Sequence, residues 1–474
     1  MHAVLMASRI FQNVAAPSSA FICGSQGSGK SHTLSCMLEN CLLPSKQGCL
    51  PKPLAGVVFH YGTFTSDSSG IPCEAAYLAS NPDIKVRVLC APTNLETMKR
   101  TYDCIRNVTV EALQLDEHDL NTQRMLELMG AKDQGLPLYL HVFQRILRNM
   151  RVQQQKTFLD GLPGRFEYAE FRRQVTKETL TTQQNSFLQQ RLDTLESFMV
   201  LKQTATLGPS GPLSATRGKI DAARESGTDW QLQPGQLTIV DLSCPCVTQE
   251  QACLLFNICL SLSLEKHASS GTAALGKIIA LDEAHKYMGG RSPESQTLTQ
   301  SLLSTIRLQR HLGARVIIST QEPTISSKLL DLCSVTIVHR FTSPDWLRML
   351  SGHLAGLSTA ANVVIAMSKV GLDGRGCDAT SSTHDQPDNG NEVRTGIQVH
   401  CSTAIPVAEL FSHIVKLKVG EAFLFAPSAI LDKTGGGTGK GSHPVEFKVL
   451  GHEVLKIRVR KRLTDDGGKS NMAA

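Results

Sequence analysis

One short glycine-rich stretch constrains this chain more than any other part of it. It follows the pattern G-x-x-x-x-G-K-[ST] and reads Gly24-Ser25-Gln26-Gly27-Ser28-Gly29-Lys30-Ser31. The apolar residues Phe21-Ile22-Cys23 before it predict a buried strand, and the residues after it can form a helix with one apolar side. A strand, a glycine turn and a helix N-terminus bring free backbone N–H groups and a positive dipole end to one point. This arrangement binds phosphate.

The residue types within the stretch predict its chemistry. Lys30 is expected to reach the β- and γ-phosphates of ATP, and the hydroxyl of Ser31 to ligate Mg²⁺. Glycine allows the backbone to wrap closely around a phosphate. The predicted nucleotide-binding residues are Gly24, Ser25, Gln26, Gly27, Ser28, Gly29, Lys30, Ser31 and His32.

The composition is that of an ordinary globular protein and excludes few classes of function. Of 474 residues, 41% are hydrophobic and 19% charged, and the net charge of +6 permits nucleic-acid binding without arguing for it. The 14 cysteines are scattered, so we expect reduced thiols in an intracellular protein, cytoplasmic or nuclear. Cys244-Pro245-Cys246 lacks a second pair at ligand spacing and predicts no metal site. No apolar run is long enough to cross a bilayer, so no membrane insertion is expected.

Apolar and periodic segments divide the chain into four parts. Residues 1–112 alternate strands and helices and are predicted to form the first half of an ATPase core. Residues 113–235 have helical periodicity followed by a glycine- and proline-containing linker, and are predicted to be an insertion. Residues 236–350 resume the core, and residues 351–474 add strands and loops that complete it. This pattern predicts an α/β fold with a mostly parallel sheet flanked by helices.

A pair of acids follows a second buried strand. Lys277-Ile278-Ile279-Ala280-Leu281 leads into Asp282-Glu283, at the end of a strand where ligands bind in open α/β sheets. Asp282 is expected to hold Mg²⁺, and Glu283 to polarise the water that attacks the γ-phosphate. Asp241 also ends a strand, but a leucine follows it and it is set aside.

Two later segments carry further candidates. Residues 289–298 are predicted to be a loop, followed by a helix from Thr299 to about Leu312. The strand 314–321 ends in Gln321, which could sense the γ-phosphate, hold the attacking water or simply lie in a turn. Near the C-terminus, residues 454–460 alternate, with Lys456, Arg458 and Arg460 on one face. That face is either a charged strand edge or a phosphate-contact surface.

The segment Arg310 to Pro323 resembles a known family. It has an arginine, two variable residues, Gly313, an apolar strand and then Thr320-Gln321-x-Pro323. With the glycine-rich stretch and the acid pair, this pattern resembles the HerA/FtsK superfamily of P-loop ATPases, and most closely the HerA-like P-loop NTPases predicted in filamentous fungi.

The resemblance implies a RecA-like (ASCE) core and a hexameric ring with ATP at the subunit interfaces. It also implies a motor that moves DNA or, as in type IV secretion relatives, drives the export of protein or DNA. By the same resemblance, Gln321 is the sensor. Arg310 matches the conserved arginine, acting in trans or, alternatively, in a structural salt bridge.

Asp282-Glu283-Ala284-His285 also spells the DEAH box of another helicase class. The companion motifs of that class are not found, so His285 is interpreted as an ordinary residue of a first helical turn. The sequence therefore predicts an oligomeric ATP hydrolase acting as a nucleic-acid motor. Two alternatives remain: a motor for protein export or complex remodelling, and a scaffold whose assembly is controlled by nucleotide.

Overall fold

A mostly parallel β-sheet lies at the centre of the fold. The computed structural model describes residues 10–44, 50, 52–63, 66, 70–128, 138–159, 166–204, 227–265, 275–290, 292–353, 363–364, 407–434 and 446–467. The strands are β1 Ser19–Cys23, β2 Ala55–His60, β3 Lys85–Cys90, β4 Val108–Ala112, β5 Gln236–Asp241, β6 Lys277–Leu281, β7 Ala314–Thr320, β8 Val335–Val338, β9 Val363–Val364, β10 Glu421–Phe425, β11 Ile430–Thr434, β12 Glu446–Val449 and β13 Val454–Arg458.

Strand order identifies the class of the sheet. The 11-stranded sheet has the order β4-β3-β5-β2-β6-β7-β1-β8-β10-β13-β9, and β11 and β12 form a separate antiparallel pair. Every neighbouring pair from β4 to β8 is parallel, whereas β10 runs antiparallel to β8 and β13. Strand β7 lies between β1 and β6, which is the additional-strand arrangement of ASCE P-loop NTPases.

Helices cover both faces of the sheet, which explains why its central strands are continuous apolar runs. The helices are α1 Lys30–Leu42, α2 Leu95–Tyr102, α3 Thr122–Leu128, α4 Leu138–Leu159, α5 Tyr168–Thr176, α6 Thr182–Ser197, α7 Leu201–Thr204, α8 Gln249–Leu264, α9 His285–Met288, α10 Pro293–Arg307, α11 Gln309–Leu312, α12 Ser327–Leu332, α13 Pro344–His353 and α14 Val407–Val415. None of the helices in the described ranges is long and apolar enough to cross a membrane.

Alternate residues of each strand enter two separate cores. Phe21 and Cys23 of β1 belong to the core that contains α8, α10 and the helices of 138–197, whereas Ala20 and Ile22 pack with α1 and α2. The α/β fold with a mostly parallel sheet, flanking helices and a helical insertion is confirmed. The linker predicted inside 113–235 lies largely outside the described residues.

One predicted boundary is wrong. Helix α10 begins at Pro293, not at Thr299, so residues 293–298 are helical rather than a loop. The hydroxyl of Ser292 accepts a hydrogen bond from the backbone N–H of Ser295 at 3.2 Å. A proline at the first helical position is pre-organised for a helix. The Ser-Pro composition therefore marks a helix cap and not a loop.

The alternating basic residues of 454–460, which extend from β13 into the segment after it, are only partly open to an external partner. Lys456 pairs with Glu421 at 3.1 Å, and Arg460 pairs with Glu39 of α1 at 2.6 Å. Glu39 is buried and also accepts hydrogen bonds from the backbone N–H groups of Leu463 and Thr464, both at 3.0 Å. Two of the three basic side chains thus fasten the C-terminal segment to the fold. Strand β13 is also not the outermost strand, because β9 pairs beside it.

Candidate active site

Three neighbouring parallel strands end at the same edge of the sheet. The glycine-rich loop follows β1, the acid pair follows β6 and Gln321 follows β7, which lies between them. In open α/β sheets this carboxyl edge is where ligands bind. The order of the strands therefore brings together residues that are far apart in the chain.

The glycines of the loop adopt conformations that other residues disfavour. Gly24, Gly27 and Gly29 have φ angles of 154°, 70° and 109°. A Cβ atom on Gly24 would lie 2.6 Å from Cβ of His339 and 2.8 Å from the hydroxyl of Ser28. Glycine at position 24 is therefore required both by the backbone angle and by the close approach of His339, which follows β8.

The loop is fastened to the end of β8. The N–H and the hydroxyl of Ser25 both donate to the carbonyl oxygen of Arg340, at 2.8 and 2.9 Å. The hydroxyl of Ser28 donates to the carbonyl oxygen of Ser25 at 2.7 Å. Within the described residues, the backbone N–H groups of Gly27, Gly29, Lys30 and Ser31 have no acceptor. These groups converge at the N-terminus of α1 and can bind an anion.

His339 packs against the glycine-rich loop and connects α1 to the start of β10 by hydrogen bonds. Its Nδ1 lies 3.0 Å from the carbonyl oxygen of Glu421, and its Nε2 lies 2.9 Å from the hydroxyl of Thr33 in α1. The side chain is fully buried. Burial lowers the pKa of His339 to about 4, so the ring is neutral, donates to Glu421 and accepts from Thr33.

Lys30 is the buried cation of the site. Its Nζ donates to the carbonyl oxygen of Ser25 at 3.1 Å. Burial lowers the pKa of Lys30, and the carboxylates of Glu283 and Asp282 act in the opposite direction. The same carboxylates therefore help to keep the ammonium charged.

Asp282 is held by a histidine that sequence reasoning missed. Nδ1 of His60, at the end of β2, lies 3.1 Å from Oδ2 of Asp282. Burial acts to raise the pKa of Asp282, but the hydrogen bond and charge of His60, with Lys286 and Lys30, lower it below its ordinary value. The other oxygen, Oδ1, is buried and has no hydrogen-bond partner among the described residues. That orphaned oxygen fits a metal ligand.

The carboxylate of Glu283 is hydrogen-bonded to the side chain of Gln321, which follows the neighbouring strand β7. Nε2 of Gln321 donates to Oε2 of Glu283 at 2.7 Å, and Nε2 of His285 lies 3.5 Å from the same oxygen. The backbone N–H of Gln321 donates to Nδ1 of His285 at 3.3 Å, which places the ring proton on Nε2, facing Glu283. Burial lowers the pKa of His285, against the opposing effect of Glu283.

The backbone at Glu283 is also unusual. Its φ angle is 50°, in the left-handed region that residues other than glycine rarely occupy. Such conformations cost free energy and concentrate at functional sites. His285 lies in the first turn of α9, as expected from the sequence, and its ring in addition contacts Glu283. Its place in the Asp-Glu-Ala-His run was the available signal.

Two predicted site residues, His32 and Arg310, point away from the loop and the acid pair in this chain, and Asp241 is engaged elsewhere. The ring of His32 faces the C-terminal segment, with Nε2 2.8 Å from the carbonyl oxygen of Arg460. Arg310 is exposed on α11, and in the described part of the chain its side chain has no hydrogen-bond or ion-pair partner. Asp241 accepts a hydrogen bond from the hydroxyl of Tyr102 at 2.6 Å, which agrees with setting it aside as a metal ligand.

The additional-strand sheet and the glycine-rich loop at its carboxyl edge define the fold of a P-loop NTPase. No protein-family model matches the chain, and no curated protein is significantly similar to it in sequence. These comparisons therefore give no sequence-level support for the expected closeness to fungal HerA-like proteins.

Two solved structures of low sequence identity align with most of the chain. The genome-packaging NTPase B204 of Sulfolobus turreted icosahedral virus 2, in complex with ATP-gammaS, is 8% identical with a TM-score of 0.28 and covers 86% of this chain and 92% of its own. VirB4 of Thermoanaerobacter pseudethanolicus is 11% identical with a TM-score of 0.37 and covers 88% of both chains. At these TM-scores the likeness carries no argument about function.

Proposed function

We propose that this chain binds ATP with Mg²⁺, hydrolyses it, and works as an oligomeric motor of the HerA/FtsK type on nucleic acid. The contact between Gln321 and Glu283, 2.7 Å long and formed at the ends of adjacent strands, is the observation that carries the hydrolytic part of the proposal. The action on nucleic acid follows from the resemblance to the HerA/FtsK superfamily. The amide of Gln321 fixes the orientation of the Glu283 carboxylate, and a fixed carboxylate can orient the attacking water. A glutamine that served only to form a turn would not contact the second acid of the pair.

The residues present fit ATP and Mg²⁺. The N–H groups of Gly27, Gly29 and Ser31, which have no acceptor among the residues that the structure describes, and the ammonium of Lys30 supply donors and charge for phosphates. The unpaired Oδ1 of Asp282 and the hydroxyl of Ser31 are oxygen donors of the kind that Mg²⁺ prefers. When bound, the ion neutralises charge that develops on the phosphates.

Glu283 is the residue that would orient and polarise the attacking water. Gln321 and His285 both lie at its Oε2, which leaves its second oxygen to accept a hydrogen bond from water. Gln321 is thereby a positioning residue in this proposal, since it acts through Glu283. The fixed carboxylate reduces the reorganisation that the reaction would otherwise require.

Arg310 supports an oligomeric enzyme. Its exposed guanidinium, without a partner in the described ranges, argues against the structural salt bridge that the sequence left open. A planar fork of donors suits phosphate oxygens. We therefore assign Arg310 to the nucleotide of a neighbouring subunit, in a ring that the resemblance suggests is hexameric.

The experiment is an ATP hydrolysis assay of the full chain alone, with duplex DNA, with single-stranded DNA and with RNA. We expect turnover that duplex DNA increases, with Lys30→Ala as the control for contaminating ATPases. Turnover that no nucleic acid increases would favour the motor for protein export or complex remodelling. ATP binding without any turnover would favour the nucleotide-controlled scaffold and would contradict the proposal.

A further inference from the structure

Three buried side chains with different donor atoms meet at the first residue of the acid pair. They are His60 at the end of β2, Cys73 ahead of the short helical segment 74–80, and Asp282 after β6. Their donor atoms all lie within 4.8 Å of one another, and all three residues are buried. Nδ1 of His60 lies 3.1 Å from Oδ2 of Asp282, and Sγ of Cys73 lies 3.8 Å from the same oxygen.

We propose that His60, Cys73 and Asp282 form a binding site for a borderline-soft divalent cation of the Zn²⁺ class. One nitrogen, one sulfur and one oxygen donor suit Zn²⁺ or Co²⁺, whereas Mg²⁺ requires oxygen donors. Around a tetrahedral zinc, such donors are about 3.3–3.6 Å apart, given metal–ligand lengths of about 2.0–2.3 Å. The two separations measured from Asp282 bracket this range, and the donor atoms of His60 and Cys73 lie within 4.8 Å of each other, so side-chain movements of about 1 Å would close the site.

The backbone that carries the three ligands is fixed by hydrogen bonds. The N–H of Asp282 donates to the carbonyl oxygen of Phe59 at 3.0 Å, which ties the end of β6 to β2 directly before His60. The N–H of Cys73 donates to the hydroxyl of Tyr102 at 3.0 Å. The side chains therefore stay near one another without the ion, as a pre-organised site requires.

The charge of the surroundings also favours a cation. Tyr102 joins Cys73 to a second buried carboxylate, Asp241, which accepts the tyrosine hydroxyl at 2.6 Å. Asp241 and Asp282 are 1% and 3% exposed. Buried carboxylates are costly unless cations or hydrogen bonds compensate them. Oδ1 of Asp282, which has no hydrogen-bond partner in the part of the chain that the structure describes, is a further unsatisfied acceptor in this interior.

Binding of Zn²⁺ at this site would inhibit the proposed ATP hydrolysis. Zn²⁺ held through Oδ2 of Asp282 would share one carboxylate with the Mg²⁺ that the proposed function places at Oδ1, and the repulsion between two cations so close together should make each weaken the binding of the other. This consequence rests on the proposed function, but binding of the ion does not.

The test is a titration of the nucleotide-free full chain with Co²⁺, followed by the thiolate-to-cobalt charge-transfer absorption. We expect one equivalent to produce the band, and Zn²⁺ to displace it. Cys73→Ser should abolish the band. His60→Asn should lower the affinity at least about 10–100-fold, because loss of even an outer partner of a metal ligand costs that much. Cys259→Ser removes another buried thiol, on α8, and should leave the band unchanged.

Three outcomes would overturn the proposal. They are no band with the folded wild-type chain, a band that survives in Cys73→Ser, and an affinity unchanged in His60→Asn. Thermal melting of each variant shows whether it is folded, and Asp282→Asn replaces any variant that is not. A chain that binds Co²⁺ through Cys73 but never hydrolyses ATP would refute the proposed function and leave the metal site intact.

Discussion

Protonation of His339 should weaken the fold in a defined pH range. The ring is buried beneath the glycine-rich loop and bonds Thr33 on one side and Glu421 on the other. Burial lowers its pKa from 6.5 to about 4. Because the unfolded chain binds this proton more readily than the folded chain, stability is fully present above pH 6.5 and is lost as the pH falls towards 4.

The size of the loss follows from the two pKa values. Each unit of difference corresponds to about 1.4 kcal/mol, so His339 should account for about 3 kcal/mol between pH 6.5 and 4. The assay is chemical denaturation of the wild type and of His339→Gln over that range. The variant should be less stable at neutral pH, because it loses the ring's hydrogen bonds, and the two stability curves should converge as the pH falls.

The control is His452→Gln, which replaces an exposed histidine outside the site. Its curve should run parallel to that of the wild type. If the His339→Gln curve also runs parallel to the wild type, the neutral buried ring is not the source of the pH dependence, and the reasoning is refuted.

Three further results are expected from the site. Gly24→Ala should lose ATP binding and stability, because its Cβ would lie 2.6 Å from Cβ of His339. Gly352→Ala on α13, a position with nothing within 4 Å and no positive φ, is the control, and equal effects in nucleotide-binding and melting assays would argue against the steric account. Gln321→Ala should lower kcat roughly 10–150-fold at unchanged ATP affinity, from the loss of about 1.5–3 kcal/mol of a charge-assisted hydrogen bond, and an unchanged kcat would contradict its role. Arg310→Ala and Glu283→Gln chains should each be nearly inactive, yet regain turnover when mixed into one oligomer. Mixed oligomers verified by mass that stay inactive would rule out an arginine acting in trans.

Features carried by contiguous residues were predictable from the sequence. The loop from Gly24 to Ser31 and the pair Asp282-Glu283 each sit beside an apolar run, and periodicity alone identifies such runs as buried strands. The loop and the acid pair are then expected at the same edge of the sheet, because the carboxyl ends of parallel strands lie at one edge.

Contacts between distant residues were not predictable. His60 and Asp282 are 222 positions apart, and Thr33 and His339 are 306 apart. Nothing local to a histidine shows which carboxylate or hydroxyl the packed sheet will bring beside it. The start of α10 was missed for a different reason, because Ser292-Pro293 has the composition of a loop and the geometry of a cap.

The central claim is that Glu283, held by Gln321, activates water for ATP hydrolysis. Its most direct test compares single-turnover ATP hydrolysis by the wild type and by Glu283→Gln, with ATP affinity measured on the same samples. The amide keeps the shape of the side chain and removes the base, and a positioned acid–base group contributes roughly 10²–10⁴-fold. We expect the variant to bind ATP as the wild type does and to hydrolyse it slower by that factor. Hydrolysis at a near wild-type rate by a folded, ATP-bound Glu283→Gln chain would contradict the account.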